Sequence, residues 1–217
     1  MLDDSTFNIL WDSRVIDQKI SELALNLIKR WEKESTVNLV PVLTGGLIFS
    51  SKLITELEMR SPDKWVITPV LASAYGDDYD AKEPEIVTTK DFKSKFVQSA
   101  PCVILDDLLD TGVTLTRLKE FLRNFTKRDI EIAVLVDKRA RRQGRLFQET
   151  VELEADYFCF WIEENRWLVG FGMDNKGRMR GLNSIGYLTW LRGDSNERSF
   201  FWKFSDIFCI YIGTGWS

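Results

Sequence analysis

Apolar residues recur at helical spacing near the start of the chain. Val15, Ile16, Ile20, Leu23, Ala24, Leu27, Ile28 and Trp31 follow one another with polar residues between them, which predicts an amphipathic helix over about 13–32. The pattern then changes to a short apolar run over 38–43, which has the length of a buried strand. Thr44-Gly45-Gly46 breaks that run, and helical spacing resumes over 47–58. Residues 65–73 read as another strand. The segment 75–84 (YGDDYDAKEP) is acidic and turn-rich and predicts a loop.

Residues 102–105 are continuously apolar, as expected of a strand covered on both faces. A polar turn over 106–114 and a helix over 115–125 follow, then a strand over 130–136. Two further short strands are predicted over 156–161 and 167–171. Strands alternating with helices predict an α/β fold with a parallel sheet.

Composition narrows the chemistry. Hydrophobic residues make up 44% and charged residues 29% of 217, values that fit one folded domain with appendages and argue against global disorder. The formal charge is −4, so nucleic-acid binding through overall charge is not expected. There is no histidine, which excludes Ser-His-Asp and Cys-His catalysis and metal sites built on imidazole. Acid–base work must rest on Asp, Glu, Lys, Tyr or Cys. Cys102, Cys159 and Cys209 are odd in number and far apart, so buried reduced thiols are expected, with no disulfide framework. The first residues carry acids and no apolar leader-like stretch, and the apolar run near 200–212 contains Lys203 and Asp206. Both features point to a cytoplasmic protein without a membrane span.

The most informative segment runs from Val103 to Thr114 (VILDDLLDTGVT). A buried strand ends at two adjacent carboxylates, Asp106 and Asp107, and Asp110 follows three residues later. Ligands of open α/β sheets bind at the carboxyl ends of strands. The Thr-Gly turn presents backbone N–H groups at a helix start, and Thr111 and Thr114 add hydroxyls. That combination suits a phosphate. The carboxylates suit sugar hydroxyls and a divalent cation. Taken alone, the same residues also read as a solvated helix-capping loop.

This segment resembles the phosphoribosyl-pyrophosphate signature of the type I phosphoribosyltransferases: apolar strand, two acids, two apolar residues, then Asp-Thr-Gly-x-Thr. Further pieces follow in the family's order. Val42-Leu-Thr-Gly-Gly46 resembles the pyrophosphate loop, and Tyr75-Gly76 the start of the catalytic lid. Asp137-Lys138 ends the strand after the signature. Trp167-Leu-Val-Gly-Phe-Gly-Met-Asp174 with Arg178-Met-Arg-Gly-Leu182 resembles the hood of the hypoxanthine-guanine branch.

The resemblance implies an open parallel sheet of about five strands with helices on both faces, plus a small hood. It implies a transferase domain over 1–188, with its core near 35–140 and a hood from the N-terminus and about 151–188. It implies that Asp106 and Asp107 hold ribose hydroxyls, directly or through Mg²⁺, and that Asp110, Thr111, Gly112, Val113 and Thr114 wrap the 5′-phosphate. Leu43, Thr44 and Gly45 would hold pyrophosphate, with the Leu43–Thr44 bond cis. Tyr75 would add a lid contact, and Arg180 would touch pyrophosphate. Trp167 would stack on the purine and the Leu168 backbone would read its edge. Asp174 would lie on the purine side and ligate a second Mg²⁺. Asp110 would be the general base at purine N7.

Lys138 would read the base. An ammonium donates only, so it suits O6 of a 6-oxopurine and cannot accept from the amino group of adenine. Alone, Lys138 also reads as a surface lysine, Trp167 as a core aromatic, and Asp174 and Arg180 as surface residues. The implied reaction transfers 5-phosphoribosyl from phosphoribosyl pyrophosphate to hypoxanthine or guanine. A xanthine-preferring enzyme and a nucleotide-sensing RNA-binding regulator of the same fold are the alternatives.

Thr44 and Ala74 depart from the family pattern, and residues 143–151 read as an insertion. The basic segment 139–145 reads as a solvated loop, a dimer contact or an RNA contact. The aromatic-rich tail over 189–217 lies outside the resemblance and is expected to pack on the domain or at a subunit interface. A homodimer or homotetramer is the implied assembly.

Overall fold

The computed structural model describes residues 5–73, 85–139 and 153–190. In chain order the elements are β1 (Ser5–Trp11), α1 (Ser13–Arg30), β2 (Val37–Leu43), α2 (Leu47–Arg60), β3 (Trp65–Ile67), β4 (Val70–Ser73) and β5 (Glu85–Thr88). They continue with α3 (Phe92–Lys95), β6 (Cys102–Leu109), α4 (Val113–Leu122), β7 (Ile130–Lys138), β8 (Tyr157–Ile162), β9 (Leu168–Val169) and β10 (Ile185–Trp190).

Seven strands form the large sheet in the order β5-β4-β2-β6-β7-β8, with β3 also paired to β2. All its pairings are parallel except β4 with β5. Two features raise the strand number above the expected five. The 65–73 segment splits at Thr68-Pro69, because proline has no N–H to continue the ladder. The antiparallel β5 then adds an edge.

Period-2 alternation explains the two cores. Val103 and Leu105 of β6 face one side of the sheet with Ile16, Leu27, Leu53 and Leu57 of α1 and α2. Cys102 and Ile104 face the other side with Leu115 and Leu118 of α4 and with Phe92. Phe92, Phe96, Phe121 and Phe125 pack with centroid separations of 5.1–6.2 Å, mostly tilted or edge-on, and fasten α3 to α4. Asn38 is fully buried in β2. Its amide donates to the Val97 and Pro101 carbonyls at 2.9 and 3.3 Å and accepts from the Val97 N–H at 2.9 Å. This amide clamps the segment that leads into β6.

A second sheet, β1-β10-β9, is antiparallel. Periodicity assigns neither 5–11 nor 185–190 to a strand, and the structure pairs them from Ser5↔Trp190 to Trp11↔Ile185. The strand expected over 167–171 is only Leu168–Val169. β8 joins the large sheet, so the small one draws on the N-terminus and on residues after 167.

The 75–84 loop with Tyr75, the 143–151 insertion and residues 191–217 of the tail lie outside the described residues, as does the basic segment beyond Arg139. Among the described residues, no helix is long and apolar enough to cross a membrane.

Candidate active site

β2 and β6 run parallel in the register Pro41↔Leu105, so their carboxyl ends open at the same edge of the sheet. The turn expected from Asp106 onward does not begin there. β6 continues to Leu109, with Asp106 opposite Val134 and Leu109 opposite Asp137. The ladder to β7 thus continues past both carboxylates, whose side chains are buried at the wall of a cavity.

That cavity has a volume of about 490 Å³. Leu43, Thr44 and Gly45 line it from the turn after β2, and Asp106 and Asp107 from β6. Asp110, Thr111, Gly112 and Thr114 line it from the loop that starts α4, and Arg180 from the loop after β9. Val113 is the first residue of α4 and is not in the lining. The Leu43–Thr44 peptide is cis. Gly112, at φ 85°, occupies the left-handed region that glycine adopts at little cost, and as the N-cap it starts α4, whose first N–H groups have no partner within the helix.

Asp107 sits tightly against the first turn. A Cβ at Gly45 would lie 2.6 Å from both Asp107 carboxylate oxygens. The Asp107 N–H donates to Asp106 Oδ1 at 2.9 Å. Burial pushes the Asp106 carboxyl well above the ordinary carboxylate range, and the neighbouring Asp107 charge adds to this. Burial raises Asp107 as well, while its bonds to Asp106 and the backbone and the Arg180 guanidinium pull it back. Two charges are thus costly to hold here side by side, and a bound cation would offset that cost.

Arg180 is held from two sides. It donates to the Gly172 carbonyl at 2.6 Å and pairs with Asp174 Oδ1 at 2.7 Å. Asp174 Oδ2 accepts from the Gly177 N–H at 2.6 Å, and the Asp174 carbonyl accepts from the Trp167 indole N–H at 2.9 Å. Trp167 itself is 65% exposed. Leu168 is buried in β9 opposite Tyr187. Lys138 ends β7 with only 4% of its surface exposed, and its ammonium lies 3.6 Å from Asp110 Oδ1.

The structure thus gathers most of the sequence-derived residues into one connected region. Asp107 neighbours Arg180, Arg180 holds Asp174, Asp174 holds Trp167, and Lys138 meets Asp110. Asp174 stands outside the cavity lining, with its carboxylate directed to Arg180 and Gly177. Sequence reasoning missed Leu71, Ala72, Glu85 and Val87, which line the cavity from β4 and β5. Leu71 and Ala72 fall in the strand expected over 65–73 but carry no chemical signal, and the short β5 (EIVT) follows a turn-rich stretch that hides it.

The polar groups at the cavity are oxygen donors with one guanidinium, and the described cysteines are buried away from it. A hard-oxygen set of this kind suits Mg²⁺. Among the described residues, no cluster of three or more ligating groups is preassembled. A cation here would take remaining ligands from a bound phosphate or sugar, as Mg²⁺ commonly does.

A family model described as the phosphoribosyl transferase domain matches residues 9–176. The hypoxanthine-guanine phosphoribosyltransferase of Streptococcus pyogenes is 28% identical over 188 residues, covering 87% of this chain and 96% of that protein. The hypoxanthine-guanine-xanthine phosphoribosyltransferase of Tritrichomonas foetus is 26% identical, covering 87% and 94%. Among solved structures, a hypoxanthine phosphoribosyltransferase from Staphylococcus aureus superimposes with a TM-score of 0.70 at 26% identity, covering 84% of this chain and 91% of that one.

Proposed function

The chain belongs to the phosphoribosyl transferase domain family, and on that premise we propose that it is a purine-salvage enzyme acting on 6-oxopurines. It transfers the 5-phosphoribosyl group of phosphoribosyl pyrophosphate to N9 of hypoxanthine or guanine, giving IMP or GMP and pyrophosphate.

The observation that carries this reading is the buried Lys138 ammonium beside Asp110, which lines a cavity together with Asp106, Asp107, Thr111 and Arg180. Lys138 donates to O6 of the base. Adenine offers an amino group there, a donor that meets the ammonium with no lone pair to accept its proton. Asp110 accepts the N7 proton as N9 attacks C1′, so the reaction needs no histidine. The loop 110–114 holds the 5′-phosphate through N–H and hydroxyl donors at the start of α4. Leu43, Thr44 and Gly45 hold pyrophosphate, and Arg180 offsets the charge that grows on it as the bond to C1′ breaks. Asp106 and Asp107 accept from the ribose hydroxyls. Trp167 stacks on the exposed face of the base.

Mg²⁺, when bound through Asp106 and Asp107, supplies neutralisation of the pyrophosphate charge. Asp174 holds Arg180 and the Gly177 N–H with one oxygen each and keeps further lone pairs, with which it would serve a second Mg²⁺. The same reading includes Tyr75 as a lid contact and a cytoplasmic homodimer or homotetramer, whose mass light scattering would give.

The test is pyrophosphate release from phosphoribosyl pyrophosphate and Mg²⁺ with hypoxanthine, guanine, xanthine, adenine or orotate offered separately. Turnover with hypoxanthine or guanine is expected, lost in Asp110→Asn and on chelation of the metal. Turnover with xanthine alone would keep the reaction and overturn the choice of base. Nucleotide binding without turnover on any base would overturn the enzymatic reading.

A further inference from the structure

Arg139 lies one residue beyond the purine-reading lysine and touches neither the cavity nor Asp110 in any contact described above. Strand alternation directs it to the side of the sheet shared with Asp137 and opposite Lys138. Its Nε donates to Asp137 Oδ2 at 3.0 Å. Its guanidinium lies over the rings of Phe158 and Trp161 of β8, at 5.3 and 5.0 Å from their centroids. Its backbone N–H donates to the Ile162 carbonyl at 2.9 Å, which carries the β7–β8 ladder one residue past the end of β7.

Asp137 is buried and stands opposite Leu109 of β6, the residue before Asp110. The ion pair therefore anchors β7 at its junction with both neighbouring strands. A lysine side chain has four rotatable carbons and little shape of its own. Its ammonium is aimed by where its backbone is fixed and by what packs along its stem.

We infer that Arg139 is a positioning residue for base recognition. By pairing with Asp137 and lying over Phe158 and Trp161, it fixes the end of β7 at which Lys138 reaches toward Asp110. The inference rests on the 6-oxopurine reading above. It separates the two substrates. The groups assigned to phosphoribosyl pyrophosphate come from β2, β6, the start of α4 and the loop after β9, none of which Arg139 contacts in these bonds. Loss of Arg139 should weaken recognition of the base and spare the grip on the sugar phosphate.

The experiment is steady-state kinetics on the full chain, varying hypoxanthine and phosphoribosyl pyrophosphate in turn. Arg139→Met should raise the KM for hypoxanthine about tenfold while the KM for phosphoribosyl pyrophosphate stays within about twofold. Arg139→Lys keeps a cation over the rings and should recover most of the loss. Where Arg139→Met fails to fold, the double variant Asp137→Asn/Arg139→Met, which removes both charges together, is read in its place with the same expectation.

If both KM values move together, or neither moves, the positioning role is overturned. A wild-type protein that turns over hypoxanthine with a variant unchanged in purine KM overturns this inference alone. A wild-type protein inactive on every 6-oxopurine overturns the functional reading and this inference with it.

Discussion

The Lys138 ammonium lies 3.6 Å from Asp110 Oδ1, with the lysine side chain 5% and the aspartate side chain 25% exposed. A base donor and a proton acceptor are thus adjacent before any base arrives. In the proposed reaction a 6-oxopurine enters between them, its O6 meeting the ammonium and its N7–H the carboxylate.

Two substitutions separate these roles. Asp110→Asn keeps size and removes the acceptor, so kcat should fall by about 10²–10⁴-fold. Asparagine keeps the backbone donors of the 110–114 loop, so the KM for phosphoribosyl pyrophosphate should change much less than kcat. Lys138→Gln can accept as well as donate, so kcat/KM for hypoxanthine should fall by about 10²-fold while the relative rate with adenine rises. Initial rates with the two bases side by side check both.

Gly45→Ala introduces a methyl 2.6 Å from both Asp107 oxygens. One of the two must move, and the carboxylate is the freer. Affinity for phosphoribosyl pyrophosphate with Mg²⁺ should fall by about tenfold or more, because a displacement near 1 Å is enough to spoil such a site. The melting temperature should remain close to that of the wild type. Calorimetric titration and a thermal melt distinguish this from general unfolding.

Asn38→Ala removes three hydrogen bonds from a fully buried amide and leaves the Val97 and Pro101 groups without it. The loss should be about 2–3 kcal/mol of stability. Urea unfolding with an unchanged m-value is the check. An effect under a few tenths would mean that water replaces the amide.

Burial pushes the Cys102 and Cys159 thiols above the ordinary thiol range, and burial with the Glu131 charge does the same for Tyr157. Each folded-state value is raised, so the native chain holds these protons more tightly than the unfolded chain. Stability from the thiols is fully present below about pH 8.5, and stability from the tyrosine below about pH 10, the unfolded values. Both contributions are lost as pH rises further. In a Cys209→Ser protein, a thiol reagent at pH 8 should find no reactive cysteine until denaturant is added, and then two. In Tyr157→Phe the decline of the melting temperature above pH 10 should be shallower.

The alternation of apolar runs made the large sheet and its flanking helices legible. α1, α2, β2 and β7 stand close to their expected ranges, because each buries a continuous face whose period is written locally. β1 and β10 were not legible. They pair across about 180 positions, Ser5 with Trp190, and neither has a partner that local composition could reveal. The end of β6 reads as a turn in the sequence because Asp106 and Asp107 have loop-like composition, whereas at the carboxyl end of a central strand beside a cavity they continue the ladder. Most of the cavity lining was named by motif, while Glu85 and Val87 entered it from a strand that follows a turn-rich stretch. The Lys138–Asp110 contact needed the register of β6 on β7, in which Leu109↔Asp137 sets the next two residues side by side.

That register also governs how a chain of this kind can change by descent. Gaining or losing one residue inside β6 or β7 would slide one strand past the other and turn every side chain beyond the slip to the opposite face. The ammonium and the carboxylate would then point away from each other, however well each residue was itself preserved. Length within these two strands therefore matters to the contact as much as the identity of Asp110 or Lys138.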